Sequence, residues 1–278
     1  GGNNMKKSKP YAIPFIIIVM AIILLAGASI IALHYMELAS LPEQEAPEAE
    51  EEDKLKKDTV RENLPQNDKP DKPSPPSINY DPEDVDVEKL VEKMNFLENP
   101  LPGTTLSWND AHLPGAERPY RNGIHHGLDF YAEESGADIS TGTPVFAAAS
   151  GELVRVDKDY EFPTNEELIQ LSRKCQELGK TPEEILDVFR GRQVWVENEK
   201  GFIIRYCHLD DVAENLEKGE HVRVGDEIGT MGYSGTTEVD RPHLHLEIWF
   251  DDNYLGEGMS NEEIREFFQA TIFNNNSS

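Results

Sequence analysis

The run His243-Leu-His-Leu-Glu-Ile-Trp-Phe250, entered through Pro242, constrains the fold of this chain more than any other segment. It reads as a strand. Side chains on a strand alternate faces, so Leu244 and Leu246 point into a core while His243 and His245 share the opposite face. Two imidazoles on one face of a rigid element can serve a metal. Upstream, His125-His-Gly-Leu-Asp129 sets an imidazole and a carboxylate four residues apart around a glycine. Two nitrogens and an oxygen suit Zn²⁺, and three protein ligands leave the fourth position of a tetrahedral ion open for water. Gly127 would permit close backbone approach near such an ion.

Short apolar runs bounded by turn residues predict further strands at 145–148, 152–156, 193–197, 202–208, 222–224, 227–231 and 243–250, which argues for an all-β core. Residues 158–191 break the pattern. Thr164-Asn-Glu-Glu167 reads as a capping box, followed by Ile169, Leu171, Cys175 and Leu178, with Gly179 as the stop. Thr181-Pro-Glu-Glu184 reads as a second box with proline at the first helical position, followed by Ile185, Leu186, Val188 and Phe189. The expectation is a helical hairpin inserted between two strands. A surface excursion, a groove wall and a docking site all remain open for it. Ser260-Asn-Glu-Glu263 predicts a last helix carrying Ile264, Phe267 and Phe268. Asp81-Pro-Glu-Asp84 predicts a helix start ahead of Val87, Leu90, Val91, Met94 and Leu97.

The first third of the chain has a different character. Residues 11–33 contain no charge, and as a helix they span roughly 35 Å, enough for a bilayer core. Lys6, Lys7 and Lys9 precede the run and Glu37 follows it, which predicts a cytoplasmic N-terminus (1–10) and an external remainder. The run exceeds the apolar core of a signal peptide, so an uncleaved transmembrane helix is expected. Residues 34–80, rich in Glu, Lys, Asp and Pro, read as a disordered linker with a reach on the order of 100 Å. The globular part is then 81–278. The net charge of -27, from 53 acidic and 26 basic residues, argues against a nucleic-acid partner. Cys175 and Cys207 could pair only if the hairpin folds back onto the core strand. Cys207 alternates with Tyr206 and His208, so it is expected to face away from the histidines as a small buried hydrophobe.

Four further segments stand in order along the chain: Gly142-Thr-Pro-Val-Phe-Ala-Ala-Ala-Ser-Gly151, Tyr206-Cys-His-Leu209, Gly225-Asp-Glu-Ile-Gly-Thr-Met-Gly232 and Pro242-His-Leu-His245. With His125-His-Gly-Leu-Asp129 they resemble the M23 family of zinc metallopeptidases, of LytM and lysostaphin type, over roughly 99–255 apart from the insertion. The resemblance implies an antiparallel sheet forming a narrow groove with a metal at its floor. It implies one Zn²⁺ held by His125, Asp129 and His245, with His208 and His243 as the two unliganded catalytic histidines. Which of those two is base and which stabilises the oxyanion stays open. It implies a substrate in the peptide stems or cross-links of peptidoglycan, and hence a single-pass protein of a bacterial cell membrane with its catalytic domain outside. The family also contains degenerate members that act as scaffolds or hydrolase activators; on that reading the 158–191 insertion would bind an envelope protein. All five positions are intact here, which favours catalysis. His126 falls on a spacer position. The sequence departs from the family at residues 236–241, which lengthen the loop before Pro242 and put Arg241 where a small residue is usual. That loop is expected to edge the groove.

Overall fold

The computed structural model describes residues 77–274. The expected cytoplasmic N-terminus, the transmembrane helix at 11–33 and nearly all of the linker lie outside them. Among the described residues no helix is long and apolar enough to cross a membrane.

The chain folds into a mainly antiparallel β domain with a few helices. The first helix, α1 (Val87–Met94), packs Val87, Leu90 and Met94 into the main core. It starts later than the sequence suggests. Asp86 caps it by accepting from Lys89 N at 3.0 Å, whereas Asp81 closes a separate turn by accepting from Glu83 N. Two short strands, β1 (Glu117–Arg118) and β2 (Gly123–Ile124), form a ribbon ahead of β3 (Gly127–Tyr131). One helical turn, α2 (Ala132–Ser135), and β4 (Pro144–Phe146) lead into β5 (Gly151–Val156).

The predicted hairpin follows as α3 (Asn165–Leu178) and α4 (Glu183–Arg190). Thr164 and Glu167 form the full capping box, and Gly179 ends α3 in a left-handed conformation. The second expected box is absent: Pro182 is the N-cap without a side-chain bond. The Thr181 hydroxyl instead donates to Arg121 O and accepts from Arg121 Nη1, so a tertiary contact takes the group that would have capped α4. The buried face of α3 is Leu168 and Cys175, whereas Ile169 and Leu178 are exposed. Leu168 and Cys175 form, with Ile185 and Phe189, a cluster separate from the main core.

After the hairpin come β6 (Val194–Asn198), β7 (Phe202–Cys207), β8 (Leu209–Val212), β9 (His221–Val222), β10 (Glu227–Met231), β11 (His243–Phe250), β12 (Asn253–Tyr254) and α5 (Asn261–Ala270). The large sheet runs β12-β11-β7-β6-β5-β9, with β3 also paired to β11; β4, β10 and β8 form a second sheet. Seven of the eight positions of β11 are buried. Leu244, Leu246, Ile248 and Phe250 belong to the main core, and the opposite face carries His243, His245, Glu247 and Trp249.

One expectation about facing is overturned. His245 lies directly opposite Cys207, and residues directly opposite in an antiparallel pair project from the same face. Cys207 therefore shares the histidine face of the sheet, with its Sγ 3.9 Å from Gln193 Oε1. Tyr206 points into the core, where its hydroxyl accepts from Ala148 N. Both cysteines are buried and free; Cys175 sits in the hairpin's own cluster and Cys207 on the sheet.

Candidate metal centre

Register assembles the centre. In the β3–β11 pair Asp129 lies opposite His245, so carboxylate and imidazole stand side by side on one face. A Cβ on Gly127 would sit 2.3 Å from Leu246 O and 2.9 Å from His245 Cε1, so only glycine lets β3 approach β11 here. His125 precedes β3, and its backbone is pinned by the His125 N to Ala116 O and Gly115 N to His125 O bonds.

Three atoms converge: His125 Nε2, Asp129 Oδ1 and His245 Nδ1 lie 2.7 to 2.9 Å from one another. All three residues are buried. The far nitrogens fix the tautomers. His125 Nδ1 donates to Leu113 O at 2.8 Å, and His245 Nε2 donates to Glu247 Oε1 at 2.9 Å. With those protons committed outward, two nitrogen lone pairs and a carboxylate oxygen face one point. Such a set could hold a cation between its members, and its donor chemistry fits Zn²⁺. The carboxylate behind His245 is the usual support for a ligating histidine.

Burial pushes His125 down to about 4, against the pull of Asp129. His245 is raised: burial opposes its charge, but Asp129 and Glu247 outweigh burial. Burial disfavours the Asp129 carboxylate, yet the two histidines hold it well below the ordinary range. Arg118 also donates to Asp129 Oδ2 at 3.2 Å.

His208 and His243 stand beside the trio, with ring centroids 4.6 Å apart and His208 5.5 Å from His245. His208 is not part of the strand, as the sequence suggested. β7 ends at Cys207, and His208 has a left-handed backbone with φ +62°. Alternation would send its ring into the core with Tyr206; the left-handed turn brings it to the site. His208 Nδ1 donates to Ser234 O at 2.8 Å, leaving Nε2 as a free base. Burial, then the neighbouring His243 and His245, hold His208 well below its ordinary value, and burial takes His243 to about 4. His243 stacks on Tyr131, whose hydroxyl lies 3.3 Å from His243 Nε2 and donates to Glu238. His126 is not among the converging groups: its ring packs against Trp249 and Tyr254.

The histidines and Asp129 line a cleft of about 710 Å³. Leu168, Ile169 and Arg173 of α3 line it too, so the hairpin is a wall of this cleft. Thr236, Glu238 and Arg241 edge it, as expected for the lengthened loop. Arg241 lies over the Tyr131 ring and pairs with Glu134 at 3.2 Å. Glu247 and Arg190 escaped the sequence reading. The signal for Glu247 was present, since strand alternation puts it on the His243/His245 face.

Fold and site define a mainly antiparallel β domain with a buried His–Asp–His cluster at the floor of a cleft. Residues 179–256 match the family model described as Peptidase family M23. That segment includes His208, His243 and His245; His125 and Asp129 lie outside it and join the site through the fold. Among solved structures the chain is similar to a putative peptidase M23 from Pseudomonas aeruginosa, at 20% identity over 63% of this chain and 52% of that one, with a TM-score of 0.35. It is similar to a zinc-containing peptidase from Vibrio cholerae, at 20% identity over 60% and 40%, TM-score 0.38. It is also similar to the catalytic domain of lysostaphin from Staphylococcus simulans, at 20% identity over 63% and 90%, TM-score 0.30. The chain thus spans about half, or less, of the first two. No curated protein matches it.

Proposed function

We propose that this protein is a membrane-anchored zinc endopeptidase that cuts peptide bonds in the stems or cross-links of peptidoglycan, outside the bacterial membrane. One observation carries the reading: two imidazole nitrogens and a carboxylate oxygen meet at one buried point, with two further imidazoles beside it in an open cleft. His125, Asp129 and His245 would hold Zn²⁺, which when bound supplies Lewis acidity toward a peptide carbonyl and a nucleophile at neutral pH.

The other steps belong to the chain. The cleft takes the peptide between the hairpin and the 236–241 loop. Burial holds both His208 and His243 below the ordinary imidazole value, which favours the neutral form that can accept a proton. The His208 to Ser234 bond holds its ring so that Nε2 is the accepting atom. The other imidazole, when it carries a proton on the nitrogen facing the cleft, would donate a hydrogen bond to the oxygen that gains charge as the carbonyl is attacked. The M23 match over 179–256 supports peptide-bond hydrolysis. The charge-free run at 11–33 with its lysine flank supports the anchor.

The test is to incubate the purified full chain with peptidoglycan sacculi, with and without chelator. Soluble fragments carrying new amino termini should appear only without chelator. Their absence, or release undiminished by chelator, would overturn the reading. Protease added to intact spheroplasts should digest 81–278; protection of that segment would refute the topology.

A further inference from the structure

Arg190 is the last residue of α4 and belongs to the inserted hairpin, yet both of its ends reach the site. Its side chain is among the largest fully buried ones, at 2% exposure. Arg190 Nε donates to both oxygens of Glu247, at 2.9 and 3.1 Å. Glu247 is itself 1% exposed, and its Oε1 accepts the His245 Nε2 proton at 2.9 Å. Its Oε2 takes Trp249 Nε1 at 2.6 Å, with Arg205 Nη1 more distant at 3.5 Å. From the backbone, Arg190 O accepts His208 N at 2.9 Å, and His208 is the residue that needs holding in a left-handed conformation.

We propose that Arg190 is a positioning residue for the metal centre, acting through Glu247 on His245 and through its own carbonyl on His208, so that this one contact of the inserted hairpin, rather than its docking in general, sets how well the centre holds metal. The inference rests on the zinc reading above. Its physical content is orientation. A buried carboxylate can rotate about its last side-chain bond, and only one rotation presents Oε1 to His245 Nε2. The Arg190 Nε–H, shared between both oxygens, restrains that rotation, and Nη1 is in turn held by Glu183. With the rotation restrained, the His245 proton stays on Nε2, and Nδ1 keeps its lone pair toward His125 and Asp129. The hairpin has a second tie to the sheet, Arg155 Nη1 to Asp187 Oδ1 at 2.6 Å, and neither residue hydrogen-bonds Glu247. That separates holding the hairpin from orienting the ligand.

The experiment measures zinc affinity on the full chain in detergent, by competition with a chromophoric chelator, together with the visible absorption of the Co²⁺-loaded protein. Arg190→Met should weaken zinc binding by about 10- to 100-fold, in line with other losses of a group supporting a metal ligand, and should change the Co²⁺ spectrum. Arg155→Met should stay within about twofold of wild type with an unchanged spectrum. In a Glu247→Gln background, Arg190→Met should add little further loss, since both act on one path. If Arg190→Met does not fold, Arg190→Lys replaces it in the same cycle. Lysine keeps the charge but replaces the Nε–H, fixed in the guanidinium plane, by a freely rotating ammonium, so a several-fold loss is expected. Wild-type affinity and spectrum in a folded Arg190 variant would overturn the proposal. So would equal losses from Arg155→Met and Arg190→Met, or full additivity with Glu247→Gln. Failure of the zinc reading looks different: the wild type would bind no zinc, or bind it as tightly after His245→Ala.

Discussion

Adding one methyl group at Gly191 should be among the most damaging small changes in this domain. Gly191 follows α4 and has φ +70°, ψ -149°, a region populated almost only by glycine and costing other residues about 1–3 kcal/mol. A Cβ there would lie 2.2 Å from Ser234 O, 2.4 Å from Ser234 C and 2.5 Å from Ser234 Oγ. Two of these atoms are backbone, so no side-chain rotation relieves the clash, and overpacking of this kind adds about 1–3 kcal/mol. Together Gly191→Ala should cost about 4 kcal/mol, a large part of the stability of a typical domain. Gly179 is the internal control. It has a similar φ of +66° but no heavy atom within 4 Å of its would-be Cβ, so Gly179→Ala should cost only about 1–2 kcal/mol. Urea unfolding of the full chain in detergent, followed by tryptophan fluorescence, should separate the two midpoints by about 1 M or more. The displaced Ser234 O also accepts from His208 Nδ1; on the proposed function, folded Gly191→Ala protein should therefore turn over more slowly, while Gly179→Ala should not. Equal midpoints for the two variants would refute the close backbone contact between the hairpin's end and the Ser234 turn.

Metal analysis of purified variants should sort the five site residues. His245→Ala should lose zinc and keep its fold, because Leu244 and Leu246 still pack on the other face; full occupancy would sink the ligand assignment. His208→Ala and His243→Ala should each lower turnover by roughly 10²-fold or more at unchanged zinc content, and wild-type turnover in both would favour a non-catalytic role. Asp187 carries the pH prediction. Burial would raise its carboxyl, but hydrogen bonds from Arg155 and Gln193 outweigh that and hold it below the ordinary carboxylate value. A depressed folded-state value means its stabilisation is complete above about pH 4 and fades as pH falls through the folded value. Asp187→Asn should therefore be less stable than wild type at pH 7, with the gap closing toward pH 3 when both are unfolded in chelator. A gap that does not change with pH would contradict the Arg155 pairing.

Several elements were legible because local and global signals agreed. β11 and β10 fall where the sequence puts them, and α3 and α5 begin at their capping boxes. β3 was missed because all five of its residues are buried, so it shows no alternation, although the residues before and within it carried the His–Asp motif. The start of α1 was misjudged because proline after aspartate suits a turn as well as a helix. Thr181 was misread because its hydroxyl serves Arg121, which is distant in sequence. The five positions singled out in the sequence come together in the fold, but the reason His208 reaches the cluster was not legible. A period-two pattern carries no sign of a left-handed residue at the strand's end. Arg190 was invisible for the same reason as Thr181, since its partner Glu247 lies 57 positions away.

The two free thiols occupy places that would be hard to improve on as chemical reporters. Cys175 is enclosed by the hairpin's own apolar cluster, whereas Cys207 lies on the sheet face that Arg190 and Glu247 also occupy. Burial, first of all, pushes the Cys207 thiol well above its ordinary value, so it stays unreactive while covered. If the hairpin swings away from the sheet as a body, a thiol reagent will modify Cys207 and spare Cys175. If the hairpin melts, Cys175 will react as well. The order in which a native sample becomes labelled would thus distinguish opening of the cleft wall from its unravelling, without introducing any probe.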